Sequence, residues 1–179
     1  TAYEITYGDW SSDVCSSDLF NFNFNNAVGD CFVMSGGPVG NYVTAVSGYT
    51  KGSKYVKMPS TSGFAVGDYI ELRELNGAWN SNPVYWAEYS VGQILKVDSI
   101  KNSKLFFHEK LRINYDSSLT VQVAKLNPLM SSAVECLKIK RTDSLATSVN
   151  YGINMYYAVN CWVNGVEIEK MIGSHIIIY

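Results

Sequence analysis

The sequence predicts an all-β fold, and a parallel β-solenoid is favoured over a two-sheet sandwich or a barrel. The composition includes 13 Tyr and 14 Gly, residue types that favour strands and turns respectively. Only 17% of the residues are charged, which is low for a helix-rich surface. No segment combines a helical period with capping residues. Instead, short strand-like runs alternate with small polar turns throughout residues 134–179.

The N-terminal part predicts few regular elements. Residues 1–27 are expected to be irregular, although "FNFNFNN" alternates Phe and Asn, the period-two pattern of a half-buried strand. Residues 28–62 contain three strand-like runs, "DCFVMSG", "NYVTAVSG" and "KYVKMP". We assign these runs to the early strands of the solenoid.

Residues 63–128 predict an inserted antiparallel β unit. Three strand candidates with short connections, "DYIELREL", "SVGQILKVDSI" and "KLFFHEKL", form a meander or a small barrel-like unit. A long aromatic loop, "NGAWNSNPVYWAEY", separates the first two strands. Pro128 marks the end of the unit.

Residues 129–179 predict solenoid coils. Leu137 and Ile139 share one strand face, and Val166 and Ile168 repeat the pattern about one coil later. Asn160 and Asn164 suit strand corners, since Asn tolerates the left-handed region. The chain ends inside the apolar run "HIIIY", whereas solenoids normally end in a polar cap. We therefore expect a C-terminal truncation and self-association through an open last coil.

The segments "GFAVGDYIELRE", "VGQILKVDSI", "LFFHEKLRINYD", "VECLKIKR" and "VNCWVNGVEIEKMIGSHIII" together resemble the N-terminal part of right-handed parallel β-helix proteins of the pectate-lyase-like superfamily. That superfamily includes secreted bacterial polysaccharide-active proteins and phage tailspike-like proteins. The resemblance covers roughly residues 28–179 and implies a right-handed β-helix fragment. In such proteins catalytic residues usually lie in later coils, so no catalytic residue is assigned here.

The stretch "SSDVCSSDL" at residues 11–19 resembles the conceptual translation of a sequencing-adapter read that recurs in proteins assembled from environmental DNA. The resemblance explains the doubled SSD without any function. We therefore expect the natural sequence to begin near Phe20, and residues 1–19 carry no functional argument.

The first candidate site is a charged strip on the predicted coils, formed by Glu135, Lys138, Lys140, Arg141 and Asp143. Stacked in register, Lys138 would lie near Glu167, and Lys140 near Glu169. One interpretation is a groove for uronate sugars, in which a Lys or Arg base acts beside groups that neutralise the substrate carboxylate. The other is a cross-strand charge ladder that stabilises the sheet.

The second candidate site is the aromatic loop, with Trp79, Tyr85, Trp86 and Tyr89. Flat aromatic faces stack on the C–H faces of sugars, and Glu88, Asn76, Asn80 and Asn82 could hydrogen-bond the hydroxyls. The alternative is that the rings cap the small β unit, because aromatic residues usually serve burial.

Other site classes find little support. The net charge of −2 gives no footprint for nucleic acid, and no apolar run is long enough to span a membrane. We expect Cys136 and Cys161, which lie in apolar strand-like runs, to be buried free thiols rather than disulfide-bonded or reactive ones, and His108 and His175 to be structural or surface residues. No cofactor or metal is identified. Calcium is compatible with the chain, but the scattered Asp30, Asp68, Asp98, Asp116 and Asp143 supply no motif for it.

Three functions remain open. The first is a fragment of a secreted, polysaccharide-active β-helix enzyme, lyase-like or hydrolase-like, that binds glycan along the solenoid face and the aromatic loop. The second is a non-catalytic glycan-binding or adhesin solenoid. The third is the stem of a phage tailspike-like protein, which would be a trimer. In each case the expected partner is a polysaccharide.

Overall fold

The computed structural model describes residues 19–25, 28–142 and 150–178, without the side chains of Trp86 and Thr142. The chain divides into two compact units. We call Thr1–Ser35 with Leu129–Tyr179 the parallel unit, and Gly36–Pro128 the barrel unit. The described strands are, in chain order, β1 (Phe20–Asn25), β2 (Phe32–Ser35), β3 (Gly37–Thr44), β4 (Tyr55–Lys57), β5 (Tyr69–Glu74), β6 (Val91–Lys101), β7 (Lys104–Phe107), β8 (Val121–Asn127), β9 (Leu129–Met130), β10 (Ala133–Thr142), β11 (Ile153–Tyr156), β12 (Ala158–Val159), β13 (Trp162–Glu169) and β14 (Ile176–Ile178).

All strand pairs described in the parallel unit are parallel. They form three sheets, in the orders β1-β10-β13, β14-β11-β2 and β12-β9. Each sheet therefore collects strands from successive passes of the chain. Between β10 and β13 the pass is 29 residues long, as the pair Lys138 and Glu167 shows. The predicted facing of Leu137 with Val166 is confirmed.

The corners of the parallel unit use left-handed backbone at equivalent positions. Ser131 (φ 48°) and Asn160 (φ 53°) both follow the paired residues of β9 and β12. Cys136 (φ 53°) and Gly165 (φ 60°) both interrupt the ladder between β10 and β13. The corner predicted at Asn160 is confirmed. Asn164 instead pairs with Glu135 inside β13.

The interior of the parallel unit is partly polar. Its apolar core includes Ile139 and Ile153, each fully buried, yet Arg141 is only 2% exposed and donates a hydrogen bond to the Gly29 carbonyl oxygen. The placement of Arg141 in the outward charged strip is therefore wrong, because the alternation along β10 turns it inward with Leu137 and Ile139. Asp143, another member of the predicted strip, lies outside the described residues.

A carboxylate links successive passes inside the parallel unit. Asp30 Oδ1 accepts a hydrogen bond from the Tyr151 backbone N–H at 2.8 Å, and Asp30 Oδ2 accepts one from Asn154 Nδ2 at 2.6 Å. Asn154 is 2% exposed. Because an unpaired buried polar group is costly, these bonds fix how the second pass lies on the first.

The barrel unit is an antiparallel sheet in the order β3-β8-β5-β6-β7-β4. The chain directly after β3 also bonds to β4, the strand at the other end of this order. The Val46 N–H donates to the Lys57 carbonyl oxygen at 2.7 Å, and the Lys57 N–H donates to the Ser47 carbonyl oxygen at 2.8 Å. The sheet thus curls round and closes as a barrel, which leaves few unpaired edge groups.

The barrel interior is filled mainly by apolar side chains that alternate along the strands, as the period-two pattern predicts. Buried members of this core include Val56, Ile70, Leu72, Leu95, Val97, Leu105 and Val123. The hairpin between β6 and β7 turns through Asn102 (φ 51°) and Ser103 (φ 57°), the left-handed pair of a tight two-residue turn.

The unit boundary differs from the sequence prediction. Residues 28–62 were assigned to the solenoid, but β3 pairs with β8 and β4 pairs with β7, so both belong to the barrel unit, which begins at Gly36. The physical reason is that alternation within a strand reports a buried face and not the partner strand.

The cysteines fall into two chemical states. Cys31 and Cys161 are free and half-buried, and burial raises the pKa of the Cys31 thiol above its usual value. Cys136 is disulfide-bonded, so the expectation of a free thiol is wrong at this position. Cys15 lies outside the described residues. Within the described ranges, no helix is long and apolar enough to cross a membrane.

Candidate functional site

The charged strip on the parallel unit has the register that the sequence predicts. Lys138 pairs with Glu167, and Lys140 with Glu169, across the β10–β13 ladder. The Lys138 ammonium lies 2.6 Å from Glu167 Oε1 and 2.7 Å from Glu169 Oε1. Lys138 therefore bridges both carboxylates. Among the described residues, Lys140 forms no ion pair within 4 Å.

The protonation of the strip follows from this geometry. Hydrogen bonds to Glu167 and then to Glu169 raise the pKa of Lys138 above its usual value. The same contact with Lys138 lowers the pKa of Glu169. A lysine whose pKa is raised stays protonated at neutral pH and cannot accept a proton there. The geometry therefore favours the charge-ladder interpretation for Lys138.

The outward face of this sheet carries further polar side chains. Asn21 and Asn23 of β1 lie in register with Lys138 and Lys140. At the other end of β13, Trp162 is 49% exposed and its Nε1 donates to Glu135 Oε1 at 2.6 Å. The sequence analysis did not single out Trp162, although alternation about the inward Val163 points to an outward ring.

The aromatic loop of the barrel unit presents two exposed rings. Trp79 is 61% exposed and Tyr85 is 86% exposed. Tyr85 begins a single 3₁₀ turn, Tyr85–Ala87, and Glu88 directly after it is also exposed. Trp79 and Tyr85 are therefore accessible at the surface, as the glycan-binding interpretation requires. The structure does not describe the side chain of Trp86.

The loop is braced by one side chain, Asn76. Its Nδ2 donates to the Ala87 carbonyl oxygen at 2.5 Å and to Ser90 Oγ at 3.2 Å, and its Oδ1 accepts from the Ser90 N–H at 2.9 Å. The Asn76 backbone N–H donates to the Glu88 carbonyl oxygen at 2.8 Å. These bonds join the two ends of the loop, so the exposed rings stand on a preformed frame.

Trp79 is held against the loop backbone. A Cβ built on Gly77 would lie 3.2 Å from Trp79 Cδ1 and 3.2 Å from Leu119 Cδ1. The absence of a side chain at Gly77 therefore lets the indole edge pack closely while most of the ring stays exposed. Any larger residue at position 77 would displace the indole.

Tyr89 is placed differently from the other loop aromatics. It is half-buried, and the Arg73 Cζ lies 3.8 Å from its ring centroid. One face of Tyr89 is thus covered by a guanidinium. The sequence analysis did not identify Arg73 as part of this site. It also missed Tyr42, whose ring centroid lies 3.3 Å from the Arg73 Cζ. The alternation in β5, which turns Ile70 and Leu72 inward, does predict Arg73 on the outer face.

The two candidate sites lie in different units, the charged strip in the parallel unit and the aromatic loop in the barrel unit. His108 and His175 are both exposed. In the part of the chain that the structure describes, no group of three or more His, Cys, Asp or Glu is placed to hold a metal ion.

Comparisons with known proteins give matches in structure alone. No protein-family model matches the sequence, and no curated protein matches it. The tailspike gp61 of Pseudomonas phage phi297 is 16% identical, with a TM-score of 0.58 over 84% of this chain and 24% of the tailspike. The likeness shows that the chain shares the fold of part of a phage tailspike, and this chain spans about a quarter of its length.

Two further tailspikes show lower similarity. The gp54 tailspike of Acinetobacter baumannii bacteriophage AP22, solved in complex with A. baumannii capsular saccharide, is 15% identical, with a TM-score of 0.47 over 88% of this chain and 26% of that one. The tailspike gp49 from Pseudomonas phage LKA1 is 11% identical, with a TM-score of 0.48 over 75% of this chain and 26% of that one.

Proposed function

We propose that the chain is part of a tailspike-like protein that binds a polysaccharide through the aromatic loop of its barrel unit. In this proposal the parallel unit is a section of a right-handed parallel β-helix, and the barrel unit is inserted between its passes. The observation that carries the binding role is the exposure of Trp79 and Tyr85 on a loop braced by Asn76. The fold shared with part of the phi297 tailspike supports the proposal that the loop belongs to a tailspike-like protein.

The chemistry of the loop suits sugar rings. A pyranose presents an apolar C–H face, and an aromatic ring that already faces water can cover it without any rearrangement of the protein. Glu88 is exposed beside the two rings in sequence, and Asn80 and Asn82 supply amide groups in the same loop. A braced loop loses little conformational freedom on binding, which favours affinity.

The charged strip has a smaller part in this proposal. Lys138, Lys140, Glu167 and Glu169 would offer a polar surface to a glycan chain, but the paired Lys138 serves mainly the sheet. Because its pKa is raised, Lys138 is unsuited to be the base of a lyase at neutral pH. We therefore propose binding and assign no reaction to the described residues.

We further propose that the protein acts outside the cytoplasm. The support for this location is the exposed aromatic loop, whose proposed polysaccharide ligands lie outside the cytoplasm.

The test is binding of the full chain to an array of acidic and neutral glycans. We expect Trp79→Ala to weaken binding at least tenfold, the size expected for removal of a central aromatic anchor, and Tyr85→Ala to weaken it less. Trp162→Ala is the matched control, since it removes an exposed indole from the other unit. Unchanged affinity in a folded Trp79→Ala protein would refute the proposal, as would equal losses in Trp79→Ala and Trp162→Ala.

A further inference from the structure

Arg73 has an unusual environment on the outer face of the barrel. Its Cζ lies 3.3 Å from the ring centroid of Tyr42 and 3.8 Å from that of Tyr89. Both rings therefore contact the guanidinium carbon directly and restrict where the cation can move.

The guanidinium retains most of its hydrogen-bonding capacity. An arginine has five N–H donors, yet within the described residues Arg73 makes one side-chain hydrogen bond, from Nη2 to Gln122 Oε1 at 3.4 Å. Its Nε is buried without a partner. No described carboxylate lies within ion-pair distance of Arg73, whereas Lys125 elsewhere on the barrel pairs with Asp68 at 2.9 Å.

The nearest acidic side chain on the same strand face has another partner. Glu71 Oε2 accepts a hydrogen bond from the Tyr42 hydroxyl, and a Cβ built on Gly92 would lie 3.6 Å from Glu71 Oε1. Glu71 therefore points towards Tyr42 and β6 and does not neutralise Arg73.

The neighbouring strand places no side chain against the base of Arg73. Arg73 lies between Gly92 of β6 and Gln122 of β8 in the sheet register. A Cβ built on Gly92 would lie 3.5 Å from Arg73 Cβ, and Glu71 Oε1 borders the same position at 3.6 Å. Arg73 is partly exposed although its Nε is buried, which leaves the terminal Nη edge as the part that a ligand can reach.

We propose that Arg73 binds a carboxylate of the glycan, so that the ligand is an acidic polysaccharide. A planar guanidinium matches a carboxylate with two parallel hydrogen bonds, and the Tyr42 and Tyr89 rings restrain its position. Tyr89 is the last aromatic residue of the loop that carries Trp79 and Tyr85, so this loop contacts the acid-binding group directly. This inference rests on the proposed function and names its ligand class.

The experiment compares matched glycans with and without charge. The probes are oligosaccharides containing galacturonic, glucuronic or sialic acid, each beside its carboxyl-reduced counterpart. For the wild-type chain we expect the best acidic probe to bind about ten- to a hundredfold more tightly than its reduced form, the range for a hydrogen bond to a charged group. In Arg73→Met, which keeps an aliphatic stem between the rings, we expect this ratio to fall to about one while the reduced probe binds as before.

Two further variants separate recognition from structure. Lys96→Met removes an exposed positive charge elsewhere on the barrel and should leave the ratio unchanged. Glu71→Gln removes the nearby negative charge and should increase the ratio by a larger factor in the wild-type chain than in Arg73→Met, because only the wild-type chain keeps the cation that binds the carboxylate.

Each outcome decides the inference. If Arg73→Met weakens the acidic and reduced probes equally, Arg73 only clamps Tyr89 and the inference is overturned. If the ratio is unchanged in Arg73→Met while Trp79→Ala still weakens binding at least tenfold, the proposed function stands and the inference fails. If the wild-type chain binds none of the probes or neutral glycans, the proposed function itself fails.

Discussion

The parallel unit and the barrel unit bring side chains together in different ways. In the parallel unit, a residue of one strand lies beside a residue of the next pass of the chain, so a spacing of 29 residues places Lys138 beside Glu167. In the barrel unit, neighbours come from strands that are distant and out of order, as when β3 pairs with β8. A repeating architecture therefore makes its surface contacts predictable from the sequence, whereas a closed barrel does not.

The two units also differ in what they bury. The barrel core is largely apolar, with Val56, Ile70 and Leu72 fully buried. The parallel unit encloses polar groups, including Arg141 and Asn154, that bond to neighbouring passes. Hydrophobic collapse is thus the main stabilising contribution in the barrel, and the parallel unit adds directional hydrogen bonds that specify the stacking of its passes.

The largest expected effects come from separate core deletions. Leu72→Ala in the barrel and Ile139→Ala in the parallel unit remove fully buried side chains, so each should lower the free energy of unfolding of its own unit by about 2–5 kcal/mol. Hydrogen exchange measured by mass spectrometry should show lost protection mainly in the unit that carries the substitution. If either variant loses hydrogen-exchange protection equally in both units, the two units unfold together. Their cores would then not be independent.

A smaller effect is expected at a corner of the parallel unit. Gly165 has φ 60°, so Gly165→Ala should destabilise the chain by about 1 kcal/mol, the cost of a side chain in the left-handed region. The control is Gly37→Ala in the barrel unit, where an added Cβ meets nothing within 4 Å and φ is outside the left-handed region. Urea unfolding measures the change in the free energy of unfolding for both variants. If Gly165→Ala leaves the free energy of unfolding unchanged, the left-handed backbone at this position has no structural role.

The smallest expected effect concerns the charge ladder and depends on pH. The contribution of Glu169, whose pKa is lowered, is present above the ordinary pKa of glutamate and is lost as the pH falls through its lowered pKa. The contribution of Lys138, whose pKa is raised, is present below the ordinary pKa of lysine and is lost as the pH rises through its raised pKa. Lys138→Met should therefore lower the Tm slightly near neutral pH.

That difference should shrink in acid, in strong alkali and at high salt, because exposed charges are screened. Lys140→Met, which removes a charge that forms no ion pair among the described residues, is the matched control. A Tm difference for Lys138→Met that stays constant from pH 3 to pH 7 would show that lost packing, and not charge, is responsible.

Much of the local structure was predictable. The alternation in "FNFNFN" and in the run around Leu137 and Ile139 predicted β1 and β10, since a half-buried strand imposes a period of two. The same period, applied strictly, also predicts the inward position of Arg141. A charged residue on an apolar face is easily misassigned to the surface, because burial of an arginine depends on partners such as the Gly29 carbonyl that the local sequence does not reveal.

The candidate sites were predictable to different degrees. The aromatic loop stood out by composition alone, and Trp79 and Tyr85 are exposed as expected. The environment of Tyr89 was not predictable, because its partner Arg73 lies on β5 and the second ring, Tyr42, on β3. Cation–π contacts between separate strands leave no periodic signal within either strand.

The sequence by itself determined which segments form strands, which faces they bury and, through the repeat, which residues stack between β10 and β13. Each of these is a local property or follows from spacing along the chain, set by the two-residue alternation of a strand and by the 29-residue spacing between β10 and β13. Only the tertiary structure decided that β3 and β4 belong to a closed barrel, that Asn76 braces the aromatic loop and that Arg73 lies between two tyrosines. Those arrangements depend on hydrogen bonds and contacts between strands far apart in the chain, and burial patterns do not encode the identity of a partner.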